Sequence, residues 1–135
     1  MESRKGFTLI ELMVVIFIVS VVAAVVVPLV RGHIDTAKWS EGRTTMGTIA
    51  TALRSHVAEQ GSNFTAVPSL RQLGFVKGDL DGTYFKGGES GKGSFSWVIK
   101  DDEPLDFLIT AKAPKGISTP SKVTLDADGN WRETP

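Results

Sequence analysis

From Leu12 to Val30 the chain reads LMVVIFIVSVVAAVVVPLV, an apolar run with Ser20 as its one polar residue. As a helix this run is long enough to cross a bilayer core of about 30 Å. A domain built from the remaining residues has too little interior to bury such a segment on all sides, so its cover has to come from lipid or from other chains. Valine and isoleucine lower helicity in water. In lipid every backbone N–H and C=O must be satisfied within the segment, and that requirement makes the helix.

Arg4 and Lys5 stand ahead of the run. A discarded secretory signal also begins with basic residues, but its apolar stretch is about 7–15 residues and a small-residue cleavage site follows it. Here the stretch is longer and passes straight into an amphipathic region, so removal of the span itself is not expected. Basic residues before the span favour a cytoplasmic N-terminus and transfer of the C-terminal part across the membrane.

Two residues are unusual for a simple anchor. Glu11 sits in the apolar stretch that starts at Phe7, where a carboxylate is costly unless it reaches the headgroup level or finds a cation on another chain or at a new N-terminus. Pro28 removes a backbone donor late in the span and is expected to loosen or break the helix there.

The run KGFTLIELMVVIFIVSVVAAVVVP, Lys5 to Pro28, resembles the class III signal and membrane segment of type IV pilins and of type II secretion pseudopilins. The resemblance implies cleavage between Gly6 and Phe7 by a membrane-embedded aspartyl prepilin peptidase, which also N-methylates Phe7. It makes Arg4 and Lys5 the basic leader residues, Glu11 the carboxylate that pairs with a Phe7 amine during assembly, and Pro28 the family's helix-breaking proline. A glycine at the cut suits a narrow protease site because it carries no side chain.

The expected organisation is a leader over 1–6, a membrane and filament-core half of the helix over 7–30, an amphipathic stem over 31–60 and a small β-rich head over 61–135. In the stem, Ile34, Ala37, Met46, Ile49, Ala50, Leu53 and Val57 recur at helical spacing and are expected to pack on the head. One helix from about Phe7 to Gln60 follows, since Gly61 is the first strong terminator. GSNFTAVP reads as a loop, SLRQLGF as a short turn capped by Ser69 with Leu70, Leu73 and Phe75 inward, and TYF as a short strand between glycine-rich segments.

From Ser94 onward strand patterns dominate: Phe95, Trp97 and Ile99 alternate, then Leu105, Phe107 and Ile109, and KVTL and NWRE flank the turn DADGN. The fold class is therefore α+β, a long N-terminal helix against a small antiparallel sheet of three to four strands, as in pilin-like folds.

Lys plus Arg equals Asp plus Glu at 15 each, which gives no electrostatic reason to expect a nucleic-acid partner. With no cysteine in the chain, thiol catalysis, thiolate metal sites and disulfides are excluded. His33 and His56 are read as surface or packing residues with no metal-ligand companion one turn on. GKGS lacks the full spacing of a P-loop. Asp126 and Asp128 in DADGN resemble the start of a calcium loop but lack its remaining ligands. A plain hairpin with Gly129 in the turn is favoured, and calcium stays a weak alternative to which Asp79 and Asp81 contribute only if the fold brings them close. Asp101, Asp102 and Glu103 read as a solvated turn, with a partner or metal patch as the alternative.

No enzyme chemistry is expected, and no cofactor. The leading expectation is a structural pseudopilin of a type II secretion-type filament. The alternatives are a type IV pilin serving motility, adhesion or DNA uptake, and a single-span anchor presenting a small binding module. Expected partners are copies of itself, related pilin-like subunits, prepilin peptidase, the lipid bilayer before assembly, and an inner-membrane assembly platform driven by a separate ATPase. The expected location is the bacterial inner membrane with the head outside the cytoplasm, then a periplasmic or surface filament.

Overall fold

The structure, a computed structural model, describes residues 6–135; the basic residues Arg4 and Lys5 lie outside the described residues. The chain divides into two compact units at Ile34 and Asp35. One helix, α1 (Leu9–Gln60), contributes to both.

In the first unit α1 is apolar on every side from Leu12 to Val30, and residues such as Phe17, Val25 and Leu29 are all exposed. The helix is long and apolar enough to cross a membrane. Pro28 lies inside it without interrupting it. Because proline has no N–H, the carbonyl of Ala24 is left without its intrahelical donor, a local loosening and not a chain break. Ser20, the one polar residue of the run, donates its hydroxyl to the Ile16 carbonyl at 2.6 Å, so its polarity is satisfied within its own helix.

In the second unit the later part of α1 shares a core with β1 (Phe95–Asp102), β2 (Leu105–Lys112) and β3 (Lys122–Asp126), while β4 (Trp131–Thr134) is exposed along its length. The four strands form an antiparallel meander in the order β1-β2-β3-β4. Period-two alternation decides which face is buried: Phe95, Trp97 and Ile99 point inward from β1, Phe107, Ile109 and Ala111 from β2, and Val123 and Leu125 from β3. They close on Met46, Ile49, Ala50 and Leu53 of the helix in one core.

The buried face of the stem departs from expectation at its start. Ile34 and Ala37 are exposed, and the face begins with Trp39 and Gly42, with His56 added near its end. Trp39 donates its indole N–H to the Pro120 carbonyl at 3.1 Å, which meets the polar need of a buried tryptophan.

The segment between α1 and β1 is mostly turns after a short 3-10 helix, Gly61–Asn63. Leu70 and Leu73 are buried and Phe75 half-buried, as the sequence predicts. Ser69 and Gln72 cap the turn reciprocally: the Ser69 N–H donates to Gln72 Oε1 at 2.8 Å, and the Gln72 N–H donates to the Ser69 hydroxyl at 3.4 Å. Thr83–Phe85 is not a strand. Its N–H groups donate to a carboxylate instead of a ladder, as described below.

Candidate functional site

Gly6, Phe7 and Thr8 precede α1 without regular structure, and Phe7 is 81% exposed. The helix begins with a reciprocal cap. The Thr8 N–H and the Thr8 hydroxyl both donate to Glu11 Oε2 at 2.9 Å, and the Glu11 N–H donates back to the Thr8 hydroxyl at 3.3 Å. This is the Thr-x-x-Glu arrangement that satisfies otherwise orphaned N–H groups at a helix start. Its spacing is legible in TLIE, yet sequence reasoning gave Glu11 either a place at the headgroup level or a pairing with the Phe7 amine of the same or an adjacent chain, and missed this local role.

One oxygen of Glu11 is thus engaged, while its surroundings are apolar: Phe7, Ile10, Val14 and Val15 flank it in an open notch. Around Gly6, a Cβ would meet no atom within 4 Å among the described residues. Packing inside the chain therefore gives no reason for a glycine at that position.

The acidic loops have local uses. Asp126 accepts the Asn130 N–H at 2.8 Å and the Asn130 side-chain amide at 3.2 Å. The Asn130 N–H outweighs partial burial and holds the Asp126 carboxyl below the usual carboxylate range, with Arg132 adding to the effect. Gly129 closes this hairpin at φ 86°, a left-handed conformation that glycine adopts without strain. Asp79 accepts the Val76 N–H at 2.9 Å and Asp81 the Gly87 N–H at 2.7 Å, so both fasten their own turns. Among the described residues no group of three His, Cys, Asp or Glu side chains is placed to hold a metal ion.

His33 is exposed and His56 is buried. The expectation that neither has a ligand companion one turn on is incorrect for His56. Glu59 stands three residues later, and both line a small pocket with Ser55 and Arg71. Only two ligand-type side chains meet there, beside a guanidinium.

The most connected polar group of the head went unnoticed in the sequence. Glu41, on α1, accepts the N–H groups of Thr83 at 3.0 Å, Tyr84 at 2.9 Å and Phe85 at 2.8 Å. Burial disfavours its charge, but these donors and the nearby Lys86 prevail and hold the carboxyl below the usual range. The clamp seats Phe85 over Gly42, where a Cβ would come within 2.8 Å of the ring. It also places Phe85 between Trp39, tilted at 57° with ring centroids 4.9 Å apart, and Phe95, stacked at 5.8 Å.

The prokaryotic N-terminal methylation motif matches residues 1–27. The chain is similar to the fimbrial protein EcpC of Eikenella corrodens, 24% identical over 149 residues that cover 89% of this chain and 97% of that protein. It is 41% identical to the fimbrial protein EcpB of the same organism over 82 residues, 56% of this chain and 52% of that one. It is also 42% identical to type II secretion system core protein G of Pseudomonas aeruginosa over 71 residues, 53% of this chain and 47% of that one. No solved structure matches. The chain thus spans about half the length of EcpB and of core protein G, and nearly all of EcpC. The N-terminal methylation motif, the long helix and the small antiparallel sheet together make the chain similar to fimbrial proteins and to a type II secretion core protein.

Proposed function

We propose that this chain is the structural subunit of a type II secretion-type filament. It is made as a precursor with residues 1–6 as leader and held by its apolar helix in the inner membrane with the head outside the cytoplasm. Prepilin peptidase cuts between Gly6 and Phe7 and methylates the new amine of Phe7. An assembly platform driven by a separate ATPase then moves subunits from lipid into a filament in which sister helices replace lipid contacts. The protein performs no chemistry of its own.

The observation that carries this reading is the apolar helix with a single carboxylate near its start. Residues from Leu9 to Val30 are exposed along the helix, and Glu11 stands four residues after Phe7. Cleavage places a cation at Phe7. Glu11 then serves as its counter-ion, in the same or a neighbouring chain, in a region from which water is excluded as helices pack. An uncut leader blocks that pairing, because residue 7 then carries no charged amine and Arg4 and Lys5 enter the packing surface. Pro28 is the proposed site of loosening as the helix changes surroundings.

A type IV pilin is the second reading. The alignment with a fimbrial protein that runs through the head as well as the helix favours it. The complete absence of cysteine leans toward the secretion-type filament, because many pilins close a C-terminal loop with a disulfide. Electron microscopy of the chain co-produced with prepilin peptidase tests the shared claim. Native protein is expected to form fibres and Glu11→Ala to form few or none; equal fibres from both would reject the role of Glu11. Short rods support the secretion reading, and long retractable fibres the pilus reading.

A further inference from the structure

The head carries two complementary features that the N-terminal motif leaves unused. One is an open groove of about 470 Å³ whose apolar lining includes Leu70, Phe75 and Val76, with Arg71 and Lys77 at its margin. Val76 is 67% exposed. The side chains of Arg71 and Lys77 make no hydrogen bond or ion pair among the described residues. Glu89, also at the groove, is engaged by the Leu70 N–H at 3.1 Å. The groove thus offers two unpaired cations, beside one carboxylate already held by a backbone N–H, over an apolar floor.

The other feature is the tip between β1 and β2. Asp101, Asp102 and Glu103 stand together, followed by the exposed Pro104. Asp101 accepts the N–H of Asp102 at 2.8 Å and so fixes the turn. The carboxylates of Asp102 and Glu103 pair with no cation among the described residues. This is an apolar knob flanked by unpaired anions, the chemical converse of the groove.

Hydrogen bonds fix where the two lie on the head. Glu89 at the groove adjoins Ser90, whose hydroxyl accepts the Trp97 N–H at 2.8 Å and donates to the Trp97 carbonyl at 3.0 Å. Further along β1 the Ile99 N–H donates to Ala66 at 2.7 Å, and the acidic tip comes after that. The groove is therefore near the beginning of β1 and the tip beyond its end, about 16 Å apart from Trp97 to Asp102 at strand rise. Two different patches at opposite ends of one edge cannot satisfy each other within a single copy. Paired from copy to copy they would make a heterologous contact, which runs on as an open helix where the rotation between copies does not close a ring.

We infer that the acidic tip of one copy docks in the Arg71/Lys77 groove of the next, a contact between neighbouring head regions that sets subunit register in the filament. This rests on the filament reading above. Paired across an interface, the charges act mainly on specificity and register, and the apolar floor and Pro104 exclude water from the contact.

The test uses full-length, peptidase-processed chain. Native protein has no cysteine, so Lys77→Cys with Asp102→Cys introduces the only thiols. Fibres of this double variant, treated with a short bismaleimide, are expected to give a ladder of dimers, trimers and higher species. Each single variant gives dimers at most. In parallel, Arg71→Glu with Lys77→Glu is expected to cut fibre yield at least tenfold, and adding Asp102→Lys with Glu103→Lys to restore it. Fibres without a ladder overturn the contact, as do reversed-charge fibres at native yield, a swapped chain that stays defective, and a cross-link from position 77 to a different polypeptide. If native chain forms no fibres at all, the filament reading itself fails, and this contact with it.

Discussion

Glu41 Oε1 accepts the Phe85 N–H at 2.8 Å, and through this bond a residue on the stem helix fixes the loop that completes the core of the head. The same carboxylate takes the two preceding N–H groups, so one side chain replaces a strand partner for Thr83–Phe85. Removing a charged acceptor leaves several backbone donors short of a partner.

Glu41→Ala is accordingly expected to destabilise the head by about 1–3 kcal/mol. The readout is chemical denaturation of the full-length chain in detergent, followed by tryptophan fluorescence. A change below about 0.5 kcal/mol would show that the clamp contributes little.

The clamp also predicts a pH dependence. The folded-state carboxyl of Glu41 lies below its ordinary value, so its contribution is fully present above the unfolded value of about 4.3 and is lost as pH falls through the folded one. The stability difference between native chain and Glu41→Gln should be constant near pH 7 and narrow below about pH 4. A gap that widens with acid would contradict the sign.

A Cβ at Gly82 would overlap the Glu41 carboxylate. Gly82→Ala should therefore act by displacing Glu41, and its cost should be less than additive with Glu41→Ala. A double-mutant cycle in denaturant measures this, and strict additivity would separate the two sites.

At the DADGN hairpin the Asp126 carboxylate is occupied by two Asn130 donors. The melting temperature of the head is expected to stay unchanged when millimolar calcium is added or chelated. Asp126→Ala should lower it, because the turn then loses its fastening. A calcium-dependent rise would show that the loop rearranges to hold the ion.

Much of this was legible because local pattern and tertiary role coincide. Phe95, Trp97 and Ile99 alternate in sequence and face one core, and the turn around Gly129 divides β3 from β4 as its composition demands. The methylation motif around Glu11 was read from its resemblance to a known family, and the motif matches there. Trp39, Glu41 and Gly42 were missed because they lie in the polar run KWSEGR, where no helical period stands out. TYF was misread because Thr, Tyr and Phe favour strands, whereas its donors bond a side chain more than forty residues away. The Thr8–Glu11 cap was within reach of sequence reasoning and was overlooked in favour of a longer-range partner.

The central claim is that the helix enters a filament only after the chain is cut ahead of Phe7. Mass spectrometry of subunits from purified fibres tests it most directly. The account predicts a chain that begins at an N-methylated Phe7 and lacks residues 1–6. Fibres built of subunits that retain Met1 to Gly6, or that begin at any other residue, would contradict it.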